Sequence, residues 1–172
     1  MRLVFDVQSL QNASRLRGIG RYTHSLITAL MEASHDHEVI LLVNDAFCDD
    51  HRRLVADFEA MFPGTQCAVC SLPGPSSAYD PEDILRESVS ELILEAFIEE
   101  LEPDLVHIFS VLEGAEDSLV ASIGKLNASY PVTASFYDLI PLLNPDQYLK
   151  PNTAYEVHYR RRLEALGRAD GL

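Results

Sequence analysis

At 172 residues, with 47% apolar and 23% charged side chains, the chain has the balance of one folded globular domain rather than of a disordered or fibrous protein. Its 27 acidic against 13 basic residues give a formal charge of -14, which repels polyanions and argues against nucleic-acid binding. No apolar run approaches the roughly 20 residues that span a bilayer, so a cytoplasmic location is expected.

Residues 2–7 are a short β-rich run, too soon polar for a signal peptide. After a loop, Tyr22, Leu26, Leu30 and Ala33 recur at helical spacing. Residues 38–43 are almost continuously apolar, the pattern of a parallel strand buried on both faces. Asp49 or Asp50 can cap a helix that turns Leu54, Phe58, Met61 and Phe62 to one side, and Pro63-Gly64 stops it before a strand over 67–72. Cys67 and Cys70 match C-x-x-C in that strand. Residues three apart on a strand point to opposite faces, so the two sulfurs diverge, and with Cys48 they read as reduced thiols.

Residues 73–77 are loop chemistry, and Asp80-Pro81 signals the start of a helix running to about Leu101. Leu85, Leu92, Ala96 and Phe97 are expected to face inward on it. Glu87, Glu91, Glu95 and Glu99, spaced four apart, are expected to form its solvated face, with no function assigned. Pro103-Asp104 leads into a strand over 105–109, where His107 reads as a satisfied core histidine. A short helix is expected near 117–123, a strand over 131–136, and a last helix from Pro151-Asn152 to about Gly167 with Tyr155, Tyr159, Leu163 and Leu166 on one side. His35 and His37 flank Asp36 in a polar turn and read as surface residues. Asn12 and Asn127 open glycosylation sequons that carry no weight without a secretory signal.

Strands alternating with helices predict an α/β fold, a mostly parallel sheet with helices on both faces, as a single domain over 1–172. Ligands of such sheets bind beyond the carboxyl ends of the strands, so the informative segments are 8–22, 44–47, 110–116 and 137–143. The first holds Arg15, Arg17, Gly18, Gly20 and Arg21 where a loop enters a helix, a concentration of arginine in an acidic chain. Glycines let the backbone approach a ligand, and first-turn N–H groups favour an anion, so phosphate or a carboxylate is one reading. A tight turn with arginines on surface acids is the other. A dinucleotide fingerprint would follow the strand at once and add a third glycine; ten residues intervene here, which leaves NAD binding a minor alternative with Asp45 as its acid. Asp138 can project into the cleft or cap backbone N–H groups, and Glu113 beside Gly114 can accept sugar hydroxyls or form a turn.

Phe5-Asp6-Val7-Gln8, residues 17–23, His37-Glu38-Val39, residues 103–107 and residues 137–142 together resemble the N-terminal domain of glycosyltransferase family 4, in order and spacing over nearly the whole chain. The resemblance implies the N-terminal half of a GT-B fold, a Rossmann-like acceptor-side domain facing a nucleotide-sugar domain that this chain lacks. It implies a retaining, mannosyltransferase-like enzyme of bacterial polysaccharide synthesis that uses no metal or other cofactor. Its partners would be a nucleotide-sugar donor and a glycan or lipid-linked acceptor, with peripheral membrane association of the full enzyme left open. It carries phosphate or substrate contacts to Arg17, Gly18, Gly20 and Arg21, and cleft positions to Glu113, Tyr137 and Asp138. Members often have His where Tyr137 stands; a tyrosine does not titrate near neutrality, so no general base is named. Competing readings are a non-catalytic module that holds a phosphorylated ligand and an NAD-dependent oxidoreductase.

Overall fold

The computed structural model describes the chain except residues 35, 78, 80–82 and 127, and describes the backbone alone at 48–50 and 83. His35, the Asp80-Pro81 helix start, the sequon at Asn127, the caps Asp49 and Asp50, and the Cys48 thiol lie outside the described residues.

Five strands alternate with helices: β1 (Arg2–Asp6), α1 (Gly18–Ala33), β2 (Glu38–Asn44), α2 (Cys48–Met61), β3 (Gln66–Cys70), α3 (Asp83–Glu100), β4 (Leu105–Ile108), β5 (Val132–Ala134). Two single-turn helices, α4 (Ile140–Leu143) and α5 (Pro145–Tyr148), precede α6 (Thr153–Leu166). The strands form one sheet in the order β3-β2-β1-β4-β5, and every pairing is parallel. Beyond α6 the chain returns to the sheet, where Gly171 bridges Thr133 in parallel beside β5.

Side chains alternate across the sheet because successive strand residues point to opposite faces. Leu3, Phe5, Leu41 and Val43 pack under Ile27 of α1 and Leu54 and Phe58 of α2. Val4, Ile40, Leu42, Val106 and Ile108 pack under Leu94 and Ile98 of α3 and Ala165 and Leu166 of α6. The expected architecture, a Rossmann-like parallel sheet covered on both faces, is therefore present. Cys67 packs on the first face and Cys70 on the second, so the C-x-x-C sulfurs diverge as the spacing predicts. Burial pushes their thiols up to about 11 and about 12, which keeps both protonated. No helix is long and apolar enough to cross a membrane among the described residues.

The orientation of α3 reverses the expectation at most positions, though Phe97 packs against the core and Glu99 is exposed as expected. Leu85 is 76% exposed and Leu92 41%, whereas Glu87, Glu91 and Glu95 are 2–3% exposed. Those three carboxylates face inward because their partners are there. Arg161 bridges Glu87 and Glu91 at 2.6 and 2.5 Å, and Arg162 bonds the same two carboxylates at 3.0 and 3.2 Å. Lys125 reaches Glu91 at 2.6 Å. Burial lowers the Arg162 guanidinium from its ordinary value, and the two glutamates oppose that shift.

The helix expected near 117–123 is absent; the segment is irregular although residues 119–123 are all buried. Side chains from elsewhere satisfy the backbone there and remove the need for helical bonds. Gln8 accepts from Val120 N and donates to Val120 O, Asn44 donates to the Ser118 carbonyl, and Asp117 accepts from Leu119 N. Glu95 accepts from Ser122 Oγ and from the N–H groups of Lys125 and Leu126. A buried face of α3 and the loop after β4 are thus one hydrogen-bonded unit.

Candidate functional site

The sheet's winding reverses between β1 and β4, so the loops that follow these two strands diverge and leave a crevice at their carboxyl ends. Ser14 and Arg17 from the first loop, Glu113, Gly114 and Asp117 from the second, and Tyr155 of α6 enclose about 200 Å³. An adjoining cavity of about 70 Å³ shares Glu113 and Tyr155 and reaches Ser110, Tyr137, Asp138 and Tyr159.

The loop between β1 and α1 forms two 3-10 turns, Gln8–Leu10 and Ala13–Leu16. Buried amides hold them. Gln11 exchanges hydrogen bonds with the backbone of Asn44 at 2.8 and 2.9 Å, occupying the end of β2 beyond the reach of β1. Asn12 accepts from Ser14 N, capping the second turn, and donates to Asp117 Oδ2 at 2.9 Å. Ser14 Oγ donates to Glu113 Oε2 at 2.5 Å. Both loops of the crevice are therefore tied together by side chains before any ligand arrives.

The glycines divide by role. A Cβ on Gly20 would overlap Arg15 Cα and the Ser14 carbonyl, so this position lets the 3-10 turn lie against α1. Gly114 has φ +95°, and a Cβ there would overlap the Leu119 carbonyl. Gly18 opens α1 with nothing within 4 Å of where a Cβ would lie. Of the two readings of the loop, close backbone packing accounts for Gly20, and open space beside the first helical turn accounts for Gly18.

Tyr137 hydrogen-bonds Thr23 Oγ1 at 3.0 Å through its hydroxyl and packs edge-on against Tyr22 at 4.9 Å. Burial holds its phenol above the ordinary value. Behind it, His107 bonds Thr133 Oγ1 at 2.8 Å and Ser135 Oγ at 3.0 Å, and Ser135 also hydrogen-bonds Tyr137. Burial pushes His107 down to about 4, so it is the neutral, satisfied core histidine expected, and it also braces the tyrosine. Asp138 accepts from Ile140 N at 2.7 Å, the capping role, while its carbonyl accepts from Tyr159 Oη at 2.8 Å. Burial raises the Tyr155 phenol to about 12, with Tyr159, Asp138, Tyr79 and Glu113 adding to the shift.

Arg17, Glu113, Tyr137 and Asp138 are thus brought to two adjoining cavities that share Glu113 and Tyr155. Gly20 and Arg21 are not. They line a separate cavity of about 450 Å³ between α1 and α2, with Arg15, His24 and Arg53 around Leu10 and Leu54. Ser14, Ser110 and Tyr155 were given no site role from the sequence: Ser14 figures there only as the end of the Asn12 sequon, Ser110 carries no motif, and Tyr155 shares a helical stripe with core residues. Among the described residues, no group of three or more His, Cys, Asp or Glu side chains is placed to hold a metal ion.

The chain is 32% identical to a serotype-specific mannosyltransferase WbdA of Escherichia coli, over all of this chain and 20% of that protein. Two further WbdA sequences from the same organism are 29% and 28% identical over 84% of this chain and 18% of theirs. The chain spans about a fifth of the length of these curated relatives. No protein-family model matches it, and no solved structure matches it.

Proposed function

We propose that this chain is the N-terminal, acceptor-side domain of a retaining family 4, GT-B glycosyltransferase that moves mannose from a nucleotide-sugar donor to a glycan or lipid-linked acceptor in bacterial polysaccharide synthesis. The observation that carries the reading is the alignment of the entire chain with a mannosyltransferase. The position of the cleft supports it, since an open parallel sheet binds ligands at its switch point.

In this reading Arg17 and the first-turn N–H groups beside Gly18 face the donor phosphates, where a positive helix end and a guanidinium add. Glu113 and Asp138 accept hydrogen bonds from sugar hydroxyls, and Tyr137 offers its neutral hydroxyl and ring. Gly20 shapes the loop, and Arg21 serves the second cavity. A nucleotide-sugar domain elsewhere in the protein closes the cleft, so the 172-residue chain by itself transfers nothing. The protein works in the cytoplasm, at the membrane surface where its acceptor is lipid-linked, without a metal.

Incubation of the protein that carries this chain with nucleotide-hexose donors and an oligomannoside tests the reading. Extension of the oligomannoside is expected with a nucleotide-mannose donor; failure with every nucleotide-hexose contradicts it. A second reading, a non-catalytic module for a phosphorylated ligand, draws on the 450 Å³ cavity with Arg15, Arg21 and Arg53. Phosphate-dependent binding without transfer would favour that alternative.

A further inference from the structure

Ser110 is 4% exposed, and its Oγ has no hydrogen-bond partner. Two other buried hydroxyls of the described residues, Ser9 and Ser76, also lack one, but neither lines the cleft; Ser110 does, beside Glu113, Tyr137 and Tyr155. A buried hydroxyl left unpaired costs about 1–3 kcal/mol. Such a group held at a cavity wall is paired when a ligand arrives. Its position is rigid, because Phe109 and Val111 on either side of it are buried in the cores on opposite faces of the sheet. The backbone that carries the Oγ is therefore held in place at the cavity wall.

The surroundings define the ligand. Glu113, Glu116, Asp117 and Asp138 line the two adjoining cavities against one cation among the described residues, Arg17, so a phosphate placed beside Ser110 would meet carboxylates. Carboxylates and neutral phenols instead accept and donate to hydroxyls, and the rings of Tyr137 and Tyr155 offer apolar faces to C–H groups. Cavities of about 200 and 70 Å³ approach the lower end of small-molecule sites, which begin near ~300 Å³. Space on this scale suits one sugar ring. We infer that Ser110, with Glu113 and Tyr155, holds the hydroxyls of one neutral pyranose at the end of the acceptor glycan, an assignment that rests on the glycosyltransferase reading above.

The test is saccharide binding to the chain by NMR, with methyl α-mannopyranoside as the neutral probe and guanosine diphosphate as the charged one. Methyl α-mannopyranoside is expected to shift the signals of Ser110 and Tyr155. Ser110→Ala is expected to weaken that binding about tenfold, equivalent to about 1.4 kcal/mol. The same substitution leaves the thermal midpoint unchanged or higher, because it removes a buried hydroxyl that no protein group pairs. A purely structural serine would do the reverse, lowering the midpoint with affinity intact, and that result overturns the assignment. Guanosine diphosphate shifting Ser110 and Tyr155 while the mannoside does not would also overturn it, yet leave a glycosyltransferase reading standing. Binding of neither probe, together with no transfer by the whole protein, removes both.

Discussion

Replacing Glu91 by alanine tests the inward acidic face of α3. Its carboxylate meets Arg161 at 2.5 Å, Lys125 at 2.6 Å and Arg162 at 3.2 Å, and the Glu91 side chain is 3% exposed. Truncation leaves Arg162, whose side chain is 1% exposed, sharing Glu87 with Arg161. Removing one partner of a buried ion pair costs about 3–5 kcal/mol, because a buried charge loses its compensation. That is a large part of the ~5–15 kcal/mol that holds a domain folded, and it lowers the thermal midpoint by about 10 °C at this chain length. Leu85→Ala on the opposite side of the helix removes a side chain that is 76% exposed, and should fall within about 0.5 kcal/mol. Urea unfolding of both variants measures the pair. A near-neutral Glu91→Ala with a Leu85→Ala loss above about 2 kcal/mol would mean that the helix packs the other way round, and would refute the reasoning.

The glycines should separate in the same assay: Gly20→Ala and Gly114→Ala lose about 2 kcal/mol or more through backbone overlap, while Gly18→Ala is neutral or slightly stabilising. If Gly18→Ala unfolds the chain, the open space assigned beside it is wrong. His158 is pushed down to about 4, by burial first and then by the Arg162 charge; Glu87 at 4.0 Å does not offset this, being engaged by Arg162 at 3.0 Å. Its folded pKa lies below the ordinary 6.5, so the stability linked to neutral His158 is complete above pH 6.5 and lost as pH falls through 4. The full loss is about 3 kcal/mol at 1.36 kcal/mol per pKa unit. His158→Gln should remove its share of the slope between pH 6.5 and 4, leaving that of His107, and an unchanged slope would contradict the assignment.

The strands were legible because each carries its own signal: residues 40–43 are apolar without interruption, as a strand covered on both faces requires. The face of α3 was not. Leu85, Val89, Leu92 and Ala96 and the run Glu87, Glu91, Glu95 and Glu99 both satisfy helical spacing, so periodicity alone permits either stripe to be buried. What selects the acidic stripe is Arg161 and Arg162, about 70 positions along the chain, together with Lys125 and the bare N–H groups near it. Residues 117–123 failed for a related reason, since Gln8, Asn44 and Glu95 provide the bonds a helix would have made internally. In the cleft, Glu113, Tyr137 and Asp138 were legible as loop residues after strands. Arg21 was assigned to the same site as Arg17 because both belong to the arginine- and glycine-rich loop that carries the resemblance, yet the packing of the second 3-10 turn against Gly20 sets Arg17 and Arg21 on different cavities.

Transfer catalysed by the protein that carries this chain, measured in the wild type and in Arg17→Ala, bears most directly on the proposed acceptor-side cleft. Arg17 is exposed at the cap of α1 and lines the crevice, so its loss costs the fold little. The expected result is a fall of about tenfold or more in kcat/KM for mannosyl transfer to an oligomannoside, equivalent to ~1.4 kcal/mol or more of lost transition-state binding. Arg52→Ala, exposed on α2 away from both cavities, should match the wild type. Equal kcat/KM for wild type and Arg17→Ala would contradict the placement of sugar transfer in this cleft.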